Sequence, residues 1–557
     1  MYDVAIIGAG LSGMTAAALL QRRGCRTVVL EAHAAPGGCA GFYRRRGFSF
    51  DVGATTLVDF GPEGVGGQLL REIDVAPPIE LQPLPGYVAW LPDRTVEIDR
   101  DPGRWEAERG KLGDDPRHRE FWRRLDRIAQ TFWNVARRGG RLPIQSRADL
   151  LRAWGSVKWS ELPRLRYLNW TMLDLMKRCG VEESRALRGL LAMMVEDTVH
   201  APLERAPLVH AALGITMRGA GLYRARGGMR GFWTRFTDRY EALGGELRRA
   251  HRALSIRGRS GAYRVRVRRH TSRGGVDSVV AARQVISTLP IEQTGAIGPE
   301  PVRRALQPYI QRDDQARGGA IVAFLGVPEE EVADQAWTHH QLLQSYDTPL
   351  GEGNNMFLSV SSPDDAASAP PGWRSVMIST HCELKDWWTR EAGEYARRKQ
   401  RIGEQLVAFA RRVYPRLGAA ARVFEVGTPK SYERFTSRAL GGVGGVRLDL
   451  RRAGQRAVPQ EIGVPGFFVA GDTTWPGVGT VACVINGRVA AEHAMNRMPV
   501  RMRPRAAGCS GKSLQSVQRA ESPLPADSSA GSHQPKVLRS RLTSEASAGD
   551  RRIRTEN

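Results

Sequence analysis

The chain has 557 residues, which is enough material for two or three domains with ample cores. Hydrophobic residues make up 41% of it and charged residues 25%, the composition of an ordinary globular protein. The net charge of +24 comes mostly from scattered arginines, so nucleic-acid binding is not expected, whereas attraction to anionic lipid is left open. No run of 18 apolar residues is present, so no transmembrane helix is expected.

The first thirty residues contain the pattern of a dinucleotide-binding βαβ unit. An apolar strand from Asp3 leads into Gly8, Gly10 and Gly13, spaced G-x-G-x-x-G, and an alanine-rich helix is predicted over 14–23. The glycines permit, in order, a tight turn, approach of the backbone to a pyrophosphate, and close packing of helix on strand. The N-terminus of the helix favours phosphate.

A second apolar strand ends in Glu31, an acid placed to accept hydrogen bonds from a ribose 2′-hydroxyl and to disfavour a 2′-phosphate. Gly37 and Gly38 follow soon after it. Paired glycines here suit a loop that passes close under the same cofactor, an extension typical of FAD-binding rather than NAD-binding proteins. An α/β turn with packing glycines would explain neither Glu31 nor this pair.

The rest of the chain is predicted to alternate between helical and β-rich segments. Residues 104–215 are mostly helical, and a pattern of strands around one amphipathic helix covers 222–290. Residues 319–326 and 374–380 are predicted as strands of a second sheet, and a long helix is predicted over about 390–413.

These patterns predict six segments: a cofactor-binding domain in three parts, a helical cap that contacts the membrane in one interpretation, a substrate domain, and a disordered basic tail whose composition buries little apolar area. The three cofactor-binding parts are 1–103, 216–290 and 431–498. The cap is 104–215, the substrate domain 291–430 and the tail 499–557.

The six cysteines suggest a reducing compartment. None forms a C-x-x-C pair, so neither a zinc site nor a dithiol motif is indicated, and free thiols in the cytoplasm are expected. They are Cys25, Cys39, Cys179, Cys382, Cys483 and Cys509.

A second half of the cofactor site is predicted near the C-terminus. A strand ends in Gly471-Asp472, which brings a carboxylate to the sugar-alcohol chain of a flavin cofactor. A helix carrying Val481 follows, and its N-terminal dipole favours the negative charge of a reduced flavin ring.

Three motifs resemble the phytoene desaturase superfamily of flavoproteins, a group with carotenoid desaturases, carotenoid cis–trans isomerases and retinol saturases. They are Gly37–Thr55, Gly427–Thr436 with the glycine-rich run after it, and Gly471–Gly479. The resemblance covers residues 1–496. It implies an α/β fold: a two-part Rossmann-type FAD-binding domain of the glutathione-reductase kind, with a mixed-sheet substrate domain and a helical cap.

The resemblance also implies noncovalent FAD, a helix opened by Gly227-Gly228 near the flavin, and backbone contact of Ala253 with the adenine. No metal site is expected, and no catalytic residue is assigned. The residues expected to bind FAD are Gly8, Ala9, Gly10, Leu11, Ser12, Gly13, Glu31, Gly37, Gly38, Gly53, Ala253, Gly471, Asp472 and Val481.

One position departs from the superfamily pattern, because Cys39 stands where many relatives carry arginine after the double glycine. Arg44, Arg45 or Arg46 is expected to supply the missing positive charge near phosphate, and the sequence leaves the choice among them open. Covalent flavin attachment at the cysteine is disfavoured because the superfamily binds FAD noncovalently.

The resemblance implies desaturation of a carotenoid or related isoprenoid polyene, with hydride passing to flavin N5 and a proton to the protein. The terminal electron acceptor is not indicated. Alternatives are a redox-neutral carotenoid isomerase, a polyene saturase, an amine oxidase, and a prenyl-lipid-binding protein without catalysis. Side chains that could handle the proton are Asp197, His200, His339, His340, Glu433 and Arg434, although each also suits a structural role. A metal pair at His339-His340 is disfavoured because adjacent residues diverge in a strand.

Residues 150–178 interleave tryptophans, among them Trp154 and Trp159, with lysine and arginine. This mixture suits a membrane interface where a lipid-soluble substrate enters, and it equally suits a helical cap that buries its tryptophans. The first interpretation predicts a cytoplasmic protein that associates peripherally with a membrane.

Overall fold

The computed structural model describes residues 1–216, 220–271, 274–388 and 391–498. The tail predicted over 499–557 lies outside these residues. The architecture is α/β, as predicted: two seven-stranded sheets are accompanied by a layer of helices.

The elements are numbered in chain order. Strands β1 to β19 are Tyr2–Ile7, Thr27–Leu30, Phe42–Arg45, Phe48–Asp51, Leu57–Val58, Leu81–Pro83, Gly86–Trp90, Thr95–Asp99, Leu222–Ala225, Glu246–Arg248, His251–Arg257, Tyr263–Thr271, Gly274–Ser287, Gly319–Pro328, His339–Leu343, Asn355–Val360, Trp373–Cys382, Val423–Gly427 and Phe467–Val469. Helices α1 to α14 are Leu11–Arg22, Val65–Glu72, Pro102–Arg109, Pro116–Arg137, Arg147–Ser156, Met172–Cys179, Arg185–Val199, Leu208–Ile215, Gly228–Ala242, Ile291–Ile297, Glu300–Asp313, Ala392–Ala410, Pro429–Thr436 and Thr480–Asn496. Short 3-10 helices are Gly38–Ala40, Gly110–Leu112, Trp159–Asn169, Glu329–Glu331, Lys385–Trp387, Ala439–Gly441 and Gly454–Arg456.

The first sheet has the order β10–β2–β1–β13–β12–β11, with β19 beside β13. Strands β1 and β2 run parallel, and all four residues of β2 are buried. Such a continuous apolar run is expected of a parallel strand covered on both faces. Helix α1 follows β1 after the glycine loop, buries its alanines and packs against α14. This is the predicted βαβ unit.

Strand β13 is a single strand of 14 residues within the region predicted to be rich in strands. Its first part pairs antiparallel with β12, and its last residues, Val285 to Ser287, lie parallel between β1 and β19. The sequence between the two parts carries no glycine or proline, so nothing interrupts the extended backbone. One long strand therefore joins the hairpin to the core of the sheet.

The second sheet has the order β18–β14–β17–β16–β15–β7–β8. Strands β14 and β17 confirm the two predicted strands and pair antiparallel, and α12 confirms the predicted long helix. One face of the sheet packs on α12 through side chains such as Leu325 and Ile378, which meet Leu406 in one apolar cluster. Strands β7 and β8 join this sheet although they lie in the segment predicted as the first cofactor-binding part. The six-segment division stays a prediction.

Helices α3 to α8 form the helical layer predicted over 104–215. Their apolar faces share one cluster in which Phe121, Leu125, Met172 and Leu190 are almost completely buried. The helical cap is therefore anchored by its own core.

A buried ion pair connects the β3–β4 hairpin to strand β9 and helix α9. The Asp51 carboxylate accepts hydrogen bonds from the Arg224 guanidinium at 2.7 Å and from the Met229 N–H at 2.8 Å. Both charged side chains are about 95% buried. The pair thus holds the end of β4 against β9 and the start of α9.

Replacing Asp51 with asparagine keeps the shape of the side chain but leaves the Arg224 charge buried and uncompensated. We expect a loss of about 3–5 kcal/mol in unfolding free energy, measured by denaturant titration. Asp277→Asn is the control, because it removes an exposed carboxylate paired with Arg268 and should leave the midpoint almost unchanged. Equal effects of the two substitutions would show that burial of the pair is unimportant.

Candidate active site

A cavity of about 1660 Å³ lies between the first sheet, one face of the second sheet and the helical layer. It is continuous from the glycine loop after β1 to the side chains of α5. A typical small-molecule site has roughly 300–1,000 Å³. The cavity therefore has room for two large ligands, one along the Rossmann loop and one along the second sheet.

All the residues predicted to bind the cofactor line this cavity except Ala9 and Gly13. Ala9 is buried behind the loop and donates its N–H to Glu31. A Cβ on Gly13 would lie 2.1 Å from the carbonyl oxygen of Gly8, so only glycine allows α1 to approach β1 this closely. A Cβ on Gly10 would instead meet no atom within 4 Å, because it would project into the open cavity.

Glu31 lies at the end of β2 with its side chain at the cavity wall. Its carboxylate accepts hydrogen bonds from the N–H groups of Ala9 at 2.7 Å and His33 at 2.8 Å. Burial raises the pKa of Glu31, and these two N–H groups oppose that shift. The carboxylate is thus fixed in direction before any ribose hydroxyl approaches.

The second pair of glycines closes on the Rossmann loop. The Gly37 N–H donates to the Ala9 carbonyl at 2.9 Å, and Gly37 pairs with Gly10 in an isolated parallel bridge. Gly53 approaches the same turn, since a Cβ there would lie 2.4 Å from the Cys39 carbonyl oxygen. The three segments together form one narrow backbone-lined groove.

Asp472 lies at the groove, just past the end of β19, and is paired with an arginine that the sequence reasoning did not select. Arg438 donates to both carboxylate oxygens of Asp472, at 2.6 and 2.7 Å. Burial disfavours the positive charge of the Arg438 guanidinium, but the Asp472 carboxylate raises the pKa of Arg438. Arg438 therefore stays protonated. The Asn486 side chain holds Gly471 by two hydrogen bonds. Its amide oxygen accepts from the Gly471 N–H, and its amide nitrogen donates to the Gly471 carbonyl.

The expected role of Arg44, Arg45 or Arg46 near phosphate is wrong. Arg45 pairs with Glu425, Arg46 donates to a backbone carbonyl, and none of the three lines the cavity. They lie at the exposed end of the β3–β4 hairpin, and all three are exposed to solvent. Arg438 does line the cavity, and its place just after the Gly427–Thr436 motif was the available signal.

Cys39 lines the cavity near Arg438. Burial raises the pKa of its thiol, so it is uncharged and a weak nucleophile.

Residues of the second sheet form the floor of the other half of the cavity. Because side chains alternate along a strand, one face of β14 to β17 packs on α12 and the other faces the cavity. The cavity-facing residues are Ala320, Val322, Phe324, His339, Gln341, Phe357, Met377, Ser379 and His381. The floor is therefore mostly apolar with a few polar positions.

Asp197, near the end of α7, faces this floor. Its carboxylate accepts a hydrogen bond from the Gln341 amide, and the His381 Nδ1 lies 3.9 Å away. Burial raises the pKa of Asp197 to about 6, and Glu196 adds to that shift while His381 opposes it. His200 packs edge-on against His381, with ring centroids 4.9 Å apart. The group is a titratable cluster at the cavity wall.

The other proton-handling candidates have different positions. His339 faces the cavity, whereas His340 faces the opposite side of β15 and bonds to Trp90 and Tyr414. Glu433 accepts a hydrogen bond from the Leu440 N–H and does not line the cavity. Arg434 lines a separate part of the cavity. The two histidines cannot share a metal, and no cluster of three metal-ligand side chains occurs in the described ranges.

The cavity reaches the surface at α5. Leu150, Leu151, Trp154 and Trp159 are between 54% and 77% exposed, and Leu150 and Trp154 also line the cavity. By contrast, Met172 and Leu175 of the same segment are buried. The 150–178 region thus divides into an exposed apolar rim and a packed cap, and no helix in the described residues is long and apolar enough to cross a membrane.

Comparisons with known proteins agree with this geometry. Residues 6–73 match the NAD(P)-binding Rossmann-like domain. A prolycopene isomerase of Daucus carota is 24% identical over 88% of this chain and 80% of its own length. A lycopene-forming phytoene desaturase of Pseudescherichia vulneris is 24% identical over 88% and 98%. A putrescine oxidase structure has a TM-score of 0.58 at 14% identity, over 89% and 98%, which supports the fold alone.

The fold and the groove define a flavin-dependent oxidoreductase of the Rossmann type. Along most of its length the chain is similar to carotenoid desaturases and isomerases, and its cofactor is FAD. The residues present fit FAD, since the two pairs of glycines line the groove, a Cβ on Gly10 would meet only open space, and Glu31 lies at the cavity wall.

Gly10→Val places a branched side chain in that open space, where the pyrophosphate would lie. We expect purified Gly10→Val to lose its flavin absorbance while remaining folded. Gly110→Val is the matched control, because Gly110 also has nothing within 4 Å of a Cβ but lies outside the cavity. Flavin content equal to wild type in Gly10→Val would contradict cofactor binding at this loop.

Proposed function

We propose that this chain desaturates a carotenoid or related isoprenoid polyene. The observation that carries the proposal is the continuity of the cavity, which joins the dinucleotide groove to a long, mostly apolar chamber with one titratable cluster. A polyene is apolar and extended, so it suits such a chamber. A redox-neutral isomerase or a polyene saturase would use the same space, and the named relatives include both an isomerase and a desaturase.

The residues of the groove would hold FAD. Gly8, Gly10 to Ser12 and Gly37-Gly38 would lie by the pyrophosphate, with Ala9 and Gly13 shaping the loop behind them, Glu31 would accept from the ribose, and Ala253 would contact the adenine. Gly53, Asp472 and Val481 would hold the flavin half. FAD, when bound, accepts a hydride from carbon.

The protein must then exclude water and remove a proton. The apolar floor and the helical layer exclude water from the polyene. Asp197 accepts the proton, because its raised pKa makes it a stronger base than an exposed aspartate while it is still largely ionised at neutral pH. The Gln341 amide directs the carboxylate, and His381 lies 3.9 Å from it.

The reaction class can be tested with purified holoenzyme and polyenes of defined saturation. Desaturation yields a product that lacks two hydrogens and bleaches the flavin under anaerobic conditions. Isomerisation yields a product of unchanged mass. A prenyl-lipid-binding protein would contain no flavin. Pigment analysis of cells that accumulate different carotene precursors identifies the bond attacked.

Asp197→Asn tests the base. In wild type we expect kcat/KM to rise with pH through about 6 and to fall to about a tenth of its plateau one unit below, because only the carboxylate accepts a proton. The Asp197→Asn variant should turn over about 10²–10⁴-fold more slowly, and its kcat/KM should no longer rise with pH near 6. Glu196 is next to Asp197 in the chain but does not line the cavity, so Glu196→Gln should keep this pH dependence. An unchanged profile in Asp197→Asn would exclude it as the base.

We further propose that the exposed rim on α5 and the 3-10 helix after it docks on a membrane and admits the substrate. The apolar rim is flanked by the exposed cations Arg147 and Lys158, and each such charge contributes roughly 1 kcal/mol on an anionic surface, weakened by salt. The protein would then be cytoplasmic and peripherally bound.

Liposome flotation tests this rim. Wild type should float with anionic liposomes at low salt, and Trp154→Ser/Trp159→Ser should float several-fold less. Val276→Ser/Val279→Ser removes two equally exposed apolar side chains from β13 and should float like wild type. If both double variants bind alike, substrate enters elsewhere.

A further inference from the structure

The apolar chamber contains two polar atoms that the proposed proton transfer does not use. They are Nε2 of His339 and Oε1 of Gln341, on side chains of residues only 2% exposed. Within the described part of the chain neither atom has a hydrogen-bond partner. Both side chains line the cavity. An unpaired buried polar atom is costly, so the pair requires an explanation.

Strand geometry places the two side chains together. Positions i and i+2 of a strand share one face, with Cα atoms about 6.8 Å apart. That spacing allows a single ligand atom to reach both side chains. The facing strand β16 contributes Phe357 opposite Gln341 and Ser359 opposite His339, so an aromatic ring and one small polar residue flank the pair on that side.

The remaining hydrogen bonds of the two side chains determine what the free atoms can bind. The Gln341 amide nitrogen already donates to Asp197, which leaves its oxygen as an acceptor. The Nδ1 of His339 lies 2.9 Å from the Thr338 hydroxyl, which leaves Nε2 to donate or accept according to tautomer. A hydroxyl group both donates and accepts, so it can satisfy both atoms at once. A carbonyl only accepts and would leave the glutamine oxygen unpaired.

We propose that His339 and Gln341 form a seat for a hydroxyl group on the substrate, which makes the substrate a polyene alcohol rather than a pure hydrocarbon. This inference rests on the proposed function. The neighbouring carboxylate of Asp197 disfavours an anionic group such as a carboxylate at the same place. A hydrocarbon lying on β15 would displace water from both atoms and return no hydrogen bond.

Binding of matched polyene pairs to the holoenzyme tests the seat. The probes are all-trans-retinol against its deoxy hydrocarbon and β-cryptoxanthin against β-carotene, since each pair differs by one hydroxyl. Affinity is measured by quenching of flavin fluorescence, which does not require turnover. For wild type we expect the alcohol of at least one pair to bind about 10–100-fold more tightly than the hydrocarbon.

Substitutions in the seat should collapse this ratio in a characteristic way. His339→Leu and Gln341→Leu should weaken binding of the alcohol and strengthen binding of the hydrocarbon, so that the ratio of the two affinities approaches one. General damage to the cavity would weaken binding of both ligands. Ser379→Ala is the matched control, because it removes a hydroxyl from the same floor two strands away and should keep the ratio. Flavin content verifies that each variant is folded.

Equal affinities within both pairs, or a ratio that both leucine variants preserve, would overturn the seat. If polyenes bind without discrimination but are still desaturated, the proposed function stands and the seat alone fails. If no polyene of either pair binds the flavin-loaded protein, the proposed function fails and the seat with it.

Discussion

The buried pair of Asp51 and Arg224 is the constraint on which the arrangement of the site depends. It joins residues 173 positions apart in the chain. Arg224 also donates to the Thr55 carbonyl, so the loop that carries Gly53 is held against β9. The Asp51 carboxylate also accepts a hydrogen bond from the Met229 N–H in the first turn of α9. One carboxylate therefore fixes both the loop that lines the cavity and the start of α9.

Charges around the cavity are handled in two different ways. Glu31 is held by backbone N–H groups and Asp472 by Arg438, so both carboxylates are compensated where a charged cofactor lies. Burial raises the pKa of both Glu31 and Asp197, but Asp197 receives one side-chain amide hydrogen bond and lies at the apolar floor instead of the glycine loop. Position in the cavity therefore separates the carboxylates of the groove from the one proposed to exchange a proton. Both kinds line one cavity, whose two halves we propose to hold a charged cofactor and an apolar polyene.

The sequence predicted the cofactor half of the site better than the substrate half. The glycines and Glu31 form a local motif, so spacing along the chain was sufficient to find them. Arg438 was missed because its partner is Asp472, which lies in another segment. His381 and Gln341 reach Asp197 from two strands separated by β16, and only the strand order of the second sheet brings them together. Sequence spacing carries no information about such cross-strand neighbours.

The alternation of β15 explains why its two adjacent histidines differ in chemistry. His340 is fully enclosed on the α12 side, where Trp90 and Tyr414 satisfy its ring nitrogens. His339 points the other way, into a chamber with few polar neighbours, and one nitrogen stays free. A leucine there would pack a hydrocarbon ligand better. A free nitrogen beside a free amide oxygen is costly until a ligand or water pairs with both, and the proposed hydroxyl seat gives the polar side chains of β15 such a partner.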